Sequence, residues 1–289
     1  MKALLLILMV FGITVDKPTY VIYNEKGKSE DYDKMVKKLS QADVVLFGEL
    51  HNNALAHWLQ LQLLKDLQKE GNTLVLGAEM FEADNQIIID EYLAGLIEAR
   101  HLESEAKIWD NYKTDYKPLL EFAKEHQLPF VATNIPRRYA SLVARQGLDS
   151  LKNLTEEAKS YMAPLPIVID MELPSYQNML EMMGGGKNSS QHNGIGAENM
   201  VKAQAIKDAS MAHFILQNLE EESTFLHFNG SYHSDNFEGI YWYLQQANPN
   251  LDIVTISTKE QEDISQWNKD FENVANYIIS IPTDMTKTY

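Results

Sequence analysis

The sequence predicts an α/β fold: a mostly parallel sheet flanked by helices, with an α-helical subdomain over the carboxyl ends of the strands. Three observations carry this expectation. Short runs rich in β-branched and aromatic residues recur after residue 40, and several are apolar at nearly every position, as strands covered on both faces require. Between them lie longer stretches with apolar residues at three- and four-residue spacing, the mark of an amphipathic helix. The alternation breaks only over residues 149–222, where helical patterns persist and no convincing strand is present. Strand–helix–strand order suits parallel neighbours, which need a crossover connection.

In chain order, one lysine precedes an apolar stretch from Ala3 to Val15. That stretch is too short to span a bilayer and has the length of a signal-peptide core, so residues 1–15 are read as an export signal. Gly12-Ile-Thr14 is a poor cleavage site, and no cysteine follows to carry a lipid anchor. The folded part is then a single domain over 16–289. YVIY (20–23) predicts an edge strand and DVVLF (43–47) the first buried one. ALAHWLQLQLLKDLQKEG (54–71) repeats leucine at helical spacing and stops at Gly71. TLVLGA (73–78) is a strand; NQIIIDEYLAGLIEARHL (85–102) and KPLLEFAKEHQ (117–127) are helices; LPFVAT (128–133) is a strand. Residues 149–222 then read as a helical insertion with a mobile Gly/Ser/Asn loop at 184–196, and 197–222 form the longest helix. TFLHF (224–228), a helix at 235–248, LDIVTIS (251–257) and NYIISI (276–281) complete the order.

The chain has 289 residues and no cysteine, which excludes thiolate metal centres, iron–sulfur clusters, thiol catalysis and disulfides. Its net charge of −16 repels phosphate backbones, so nucleic acid is not an expected partner. No G-x-S-x-G and no phosphate-binding glycine loop follows a strand.

Open α/β sheets bind ligands beyond the carboxyl ends of their strands. The expected strand ends deliver Gly48, Glu49, His51 and Asn52; Glu79 and Glu82; Asn134, Pro136, Arg137 and Arg138; and Asn229, Gly230, Tyr232 and His233. Gly48-Glu-Leu-His51 and Gly230-Ser-Tyr-His233 share a G-x-x-H pattern, in which a glycine of positive φ would turn the chain and aim the histidine back over the sheet. With Glu79, these histidines make a His/His/carboxylate set suited to zinc, manganese or iron with an open position. Glu49 is then a further ligand or a general base. The alternative is a pair of structural histidines. His57 reads as packed or solvent-facing, and His192, in the loop, as a histidine able to reach iron.

Trp109, Tyr112 and Tyr116 precede a helix. They form either a packed loop or an aromatic lid whose tyrosine offers a phenolate to ferric iron. Arg137 and Arg138 pair with carboxylates or hold a ligand carboxylate such as a propionate. The methionines at 162, 171, 179, 182, 183, 200 and 211 either fill a core or, as with Met182 and Met183, wall a large planar ligand.

VVLFGELHNN, LGAEMFEADNQ, KPLLEFAKEHQLPFVATNIPRRYASLVARQGL, KAQAIKDASMAHFI and FNGSYHSDNFEGIYWYL run in one order over roughly residues 40–245. In this the chain resembles the ChaN-like haem-binding proteins. That family is associated with bacterial iron uptake and belongs to a superfamily that includes TIKI/TraB metallopeptidase-like proteins and erythromycin esterases. The resemblance implies haem bound at the cell envelope through a tyrosine, here Tyr112 or Tyr116. The superfamily's G-x-x-H pair and glutamate map onto His51, His233 and Glu79, which are implicated in chemistry in the peptidase- and esterase-like branches. The expectation is therefore an exported haem-binding protein of the periplasm or envelope, without a lipid anchor, acting in haem or iron uptake. The alternative is a metal-dependent hydrolase, esterase- or peptidase-like, that uses His51, Glu79 and His233. The partners raised are haem or another small molecule, an envelope iron-uptake receptor and a second copy of the chain.

Overall fold

Seven strands form one sheet: β1 (Val21–Asn24), β2 (Val44–Glu49), β3 (Thr73–Glu82), β4 (Phe130–Asn134), β5 (Ser223–Gly230), β6 (Ile253–Gln261) and β7 (Tyr277–Pro282). Their spatial order is β1-β7-β6-β2-β5-β3-β4. Every neighbouring pair is parallel except β1, which runs antiparallel on β7. This computed structural model describes residues 17–183 and 196–289; the expected signal segment and His192 lie outside the described residues. No described helix is long and apolar enough to cross a membrane.

The helices are α1 (Tyr32–Leu39), α2 (Ala54–Lys69), α3 (Gln86–Leu93), α4 (Ala99–Glu105), α5 (Lys117–His126), α6 (Arg137–Gln146), α7 (Glu156–Lys159), α8 (Pro174–Met182), α9 (Ala197–Asn218) and α10 (Ile240–Ala247). Side chains alternate across a strand, and β2 shows what that does here. Val45 and Phe47 join the core under α1, α2 and α5, whereas Val44 and Leu46 pack against Met211, Ala212 and Ile215 of α9 and Ile240 and Leu244 of α10. Both faces are covered, which is why the strand sequence carries no polar alternation. The single helix expected over 85–102 is instead α3 and α4, separated around Gly95.

The connections after β2 lead outward to β3 and β4, then return to insert β5 between β2 and β3; β6 and β7 lie on the other side of β2. The direction therefore reverses at β2 and β5, the place where an open α/β sheet leaves a crevice.

Residues 149–222 contain no strand among those described. Yet α9 is no appendage. Its carboxyl half packs on the sheet, while its amino half packs through Ala203 and Ile206 on Ala140 and Val143 of α6, and through Val201 and Ala205 on Tyr176 of α8. The methionines are a correction. Met162 and Met211 fill cores, whereas Met182 and Met183 at the end of α8 are 78% and 41% exposed and line no ligand cleft.

The G-x-x-H glycines are a second correction. Both belong to strands, and neither has positive φ; Gly230 sits at −58°. They supply room instead. A Cβ on Gly48 would lie 2.9 Å from the Ile256 carbonyl oxygen and 2.9 Å from Ser231 Cα. Backbone on both sides cannot move aside cheaply. Gly48→Ala is therefore expected to destabilise the fold by about 1–3 kcal/mol, the usual cost of overpacking, as a lowered urea midpoint at unchanged slope.

Candidate functional site

A cleft of about 520 Å³ opens over the carboxyl ends of β2 to β5. Its lining includes Glu49, His51, Glu79 and His233, with Trp109, Asn134, Ile135 and Arg137 on one side and Gln204 and Lys207 from α9 on another. The side chains near its floor form two carboxylate–histidine pairs with different surroundings.

In the first pair, Glu49 ends β2 and is fully buried. Its Oε1 accepts from the Tyr116 hydroxyl at 2.6 Å and faces His51 Nδ1 at 2.9 Å, while Oε2 accepts from the Gln60 amide of α2. The His51 carbonyl accepts from Asn111 Nδ2 at 2.9 Å and from His57 Nε2 at 3.0 Å. His57 is thus neither a ligand nor solvent-facing; it is a buried prop under the turn that carries His51. The His51 ring meets Trp109 edge to face, with centroids 4.9 Å apart. Its side chain is 36% exposed, and Nε2 makes no hydrogen bond to a described residue. Burial pulls the His51 pKa down, but the Glu49 hydrogen bond and the charges of Glu79 and Glu49 outweigh it, so the net shift is upward.

Tyr112–Tyr116 form a single π-helical turn leading into α5, where the sequence reading had an aromatic lid or loop. Such turns tend to mark functional sites, but this one faces both rings inward. Tyr116 is committed to Glu49, and Tyr112 packs edge to face on Phe81 with centroids 6.1 Å apart. Neither lines the cleft, and burial raises the pKa of both phenols. The expected tyrosine ligand to iron is therefore not presented: the apolar ring surface and the demand of Glu49 for a donor have drawn both hydroxyls inside.

In the second pair, His233 is closed on both sides. Nε2 faces Glu79 Oε1 at 3.1 Å, and Nδ1 is hydrogen-bonded to Asp208 of α9. Asp208 Oδ2 accepts from the Tyr176 hydroxyl at 2.9 Å, and Glu79 Oε2 accepts from the Gly230 N–H at 2.7 Å. Burial pulls the His233 pKa down, but the Glu79 and Asp208 carboxylates dominate and push it up to about 10. Burial likewise raises Glu79, yet His233 and His51 hold it well below the usual carboxylate range. His233 is an imidazolium with both N–H groups committed and no lone pair for a metal. Among the described residues, no group of three or more His, Asp or Glu is placed to hold a metal ion. The expected His51/Glu79/His233 metal set is thus not formed, because Glu79 is committed to His233 and the Gly230 N–H, and His233 to Glu79 and Asp208, which leaves only His51 Nε2 unengaged among the described residues.

Asp208 is the member of this buried cluster that the strand-end pattern in the sequence does not point to. Its signal is visible: Val201, Ala205, Asp208, Ala212 and Ile215 follow one another at spacings of four and three and are all buried, so the aspartate occupies an apolar stripe. The two arginines diverge. Arg138 pairs with Asp84 and lies over the Tyr139 ring at 4.4 Å, whereas Arg137 lines the cleft without a carboxylate partner among the described residues. Lys207 also lines the cleft, with no ion pair among the described residues.

A family model described as "Haem-binding uptake, Tiki superfamily, ChaN" matches residues 35–244. Among solved structures, ChaN of Campylobacter jejuni, described as binding haem cofacially, is 17% identical. The match covers 90% of this chain and 96% of that one at a TM-score of 0.67. A Bacillus cereus protein is 10% identical over 86% of this chain and 90% of its own, at a TM-score of 0.52. At such identities the likeness is one of fold. No curated protein matches the sequence.

Removing the His233 cation would leave Glu79 and Asp208 buried and uncompensated. His233→Leu is expected to cost about 3–5 kcal/mol in chemical denaturation. Because its folded pKa lies above the ordinary value of 6.5, the contribution of His233 is fully present below that pH and is lost as pH rises toward about 10. Denaturation midpoints measured across that window should fall in the wild type and stay flatter in the variant.

Proposed function

The chain belongs to the ChaN family of the Tiki superfamily, and from that premise we propose that it binds haem in the cleft above β2 to β5. The observation that carries this reading is the unengaged Nε2 of His51, beside a ring nitrogen already committed to a buried carboxylate. A carboxylate on Nδ1 fixes the ring and makes the opposite nitrogen a better donor, an arrangement typical of metal-bound histidine. The other residues fit haem at two further points. Trp109, Leu50 and Ile135 offer apolar surface, and Arg137 and Lys207, unpaired among the described residues, are cations suited to propionates. Haem supplies an iron that takes a nitrogen donor; the chain's own part is to hold His51 oriented through Glu49, Tyr116 and Gln60 and to screen it with Trp109.

The finer role we propose is haem or iron uptake by an exported protein of the bacterial periplasm or envelope. The apolar stretch from Ala3 to Val15 and the family description support it. A receptor that takes the haem over, and pairing with a second copy, belong to the same proposal.

A second reading rests on the same dyad without a metal. With Glu49 on Nδ1, His51 Nε2 can take a proton from water as its oxygen attacks an ester carbonyl, and return it to the departing alkoxide.

Haem titration followed by absorbance separates the two. We expect a Soret band that saturates at a fixed stoichiometry, is abolished in His51→Ala, weakens about 10–100-fold in Glu49→Gln, and persists in Tyr112→Phe. A band unaffected by His51→Ala would overturn the assignment. For the second reading, haem-free protein should hydrolyse p-nitrophenyl acetate and lose about 10²–10⁴-fold of that rate in His51→Ala; no turnover above buffer overturns it.

A further inference from the structure

The closed carboxylate–histidine pair touches one further side chain of the cleft. Gln204 of α9 lines the cleft and is partly buried. Its amide nitrogen stands 3.0 Å from His233 Nδ1 and 3.1 Å from His233 Nε2. An atom so near to both ring nitrogens lies over the face of the ring. In this orientation neither contact is a hydrogen bond. Both ring nitrogens carry hydrogens, directed at Asp208 and Glu79, so the ring has no lone pair to offer an N–H2 group. The positive end of the amide dipole is set against a cation.

Turning the amide over removes the conflict. The two ends of a glutamine side chain differ little in shape, so the exchange disturbs no packing. The carbonyl oxygen then rests on the imidazolium, an attraction that gains strength where water is excluded. The N–H2 group takes the end turned away from His233, where the oxygen makes no hydrogen bond to a described residue, on a side chain that lines the cleft. The closed pair thereby acquires a task. Glu79 and Asp208 hold His233 as a cation, and the cation selects which end of Gln204 a ligand meets.

We propose that Gln204, turned by the His233 ring, presents its amide N–H2 to an acyl oxygen of a carboxylate or an ester bound in the cleft. The inference rests on the cleft being the ligand site, not on haem being the ligand. In the metal-free reading the same donor meets the ester carbonyl. As the water oxygen bonds to the carbonyl carbon, the C=O electron pair moves onto the oxygen that Gln204 holds, and His51 Nε2 takes the water proton. When the C=O bond forms again, the alkoxide leaves and His51 returns the proton to it.

The test uses the full chain labelled with ¹⁵N in its glutamine side chains. Gln204→Met, which keeps the length and removes the amide, assigns the Gln204 signal. Its N–H2 protons should exchange with water and give no strong NOE to the Cε1–H of His233; a strong NOE overturns the orientation. Sodium acetate should shift the N–H2 signal to saturation while sodium chloride at equal ionic strength leaves it in place. A signal that acetate does not move overturns the donor role. With p-nitrophenyl acetate, Gln204→Met should lower kcat about 10²–10³-fold at similar KM and unchanged urea midpoint; an undiminished kcat overturns the role at the ester oxygen. If the wild type shows no turnover, the metal-free reading fails and the NMR arms still decide Gln204. The haem titration reads His51 and these arms read Gln204, so either can fail alone.

Discussion

Three carboxylates, on Glu49, Glu79 and Asp208, are buried side by side at the carboxyl end of a parallel sheet, and much around them follows from the need to neutralise them. An ionised group taken out of water costs several kcal/mol unless it is paired and its lone pairs are met. Glu79 and Asp208 solve this jointly by holding one imidazolium between them. Glu49 solves it with Tyr116, Gln60 and one nitrogen of His51. The first solution closes on itself. The second leaves one ring nitrogen over, and that nitrogen belongs to the cleft. The chemistry of the site is therefore the difference between two otherwise similar pairs.

The shared G-x-x-H pattern has a spatial basis in strand pairing. β2 and β5 are parallel neighbours with Glu49 opposite Gly230, so the two turns leave the sheet side by side. His51 then lies over the backbone of Gly230, where a Cβ would come within 2.7 Å of its ring. Each glycine makes space for the other strand's turn: Gly48 for Ser231, and Gly230 for His51. The motif records close packing between neighbours rather than a reversal of the chain.

This also explains what was legible in the sequence. The strands, their order along the chain and the helices between them could be read because burial on both faces leaves unbroken apolar runs such as DVVLF. The strand ends were read short. β2, β3 and β5 run on through Glu49, Glu82 and Gly230, since a strand tolerates a buried carboxylate once a neighbouring element neutralises it, and pattern alone does not show that neighbour. Most of the polar residues that line the cleft are named by the strand ends, but not their pairings. His233 turned to Asp208 on a helix 25 residues earlier, which linear spacing from the strand ends does not reveal. Tyr112 and Tyr116 differ from a lid only in the direction of their side chains, and a single π-helical turn sets that direction.

The floor and the wall of the cleft now fit together electrostatically. A floor that carries the carboxyl groups of Glu49 and Glu79 would by itself disfavour an anion at a chain already at −16. His233 and the Gly230 N–H neutralise Glu79 locally, and the donors on Glu49 spread its charge away from the opening. Coulomb interactions fall with distance and with solvent screening, so Arg137 and Lys207, unpaired among the described residues, set the potential in the cleft more strongly than acidic groups elsewhere on the surface. A negatively charged protein can in this way offer positive charge at one place: its buried acids are compensated from beneath, and Arg137 and Lys207, without an ion pair among the described residues, line the cleft.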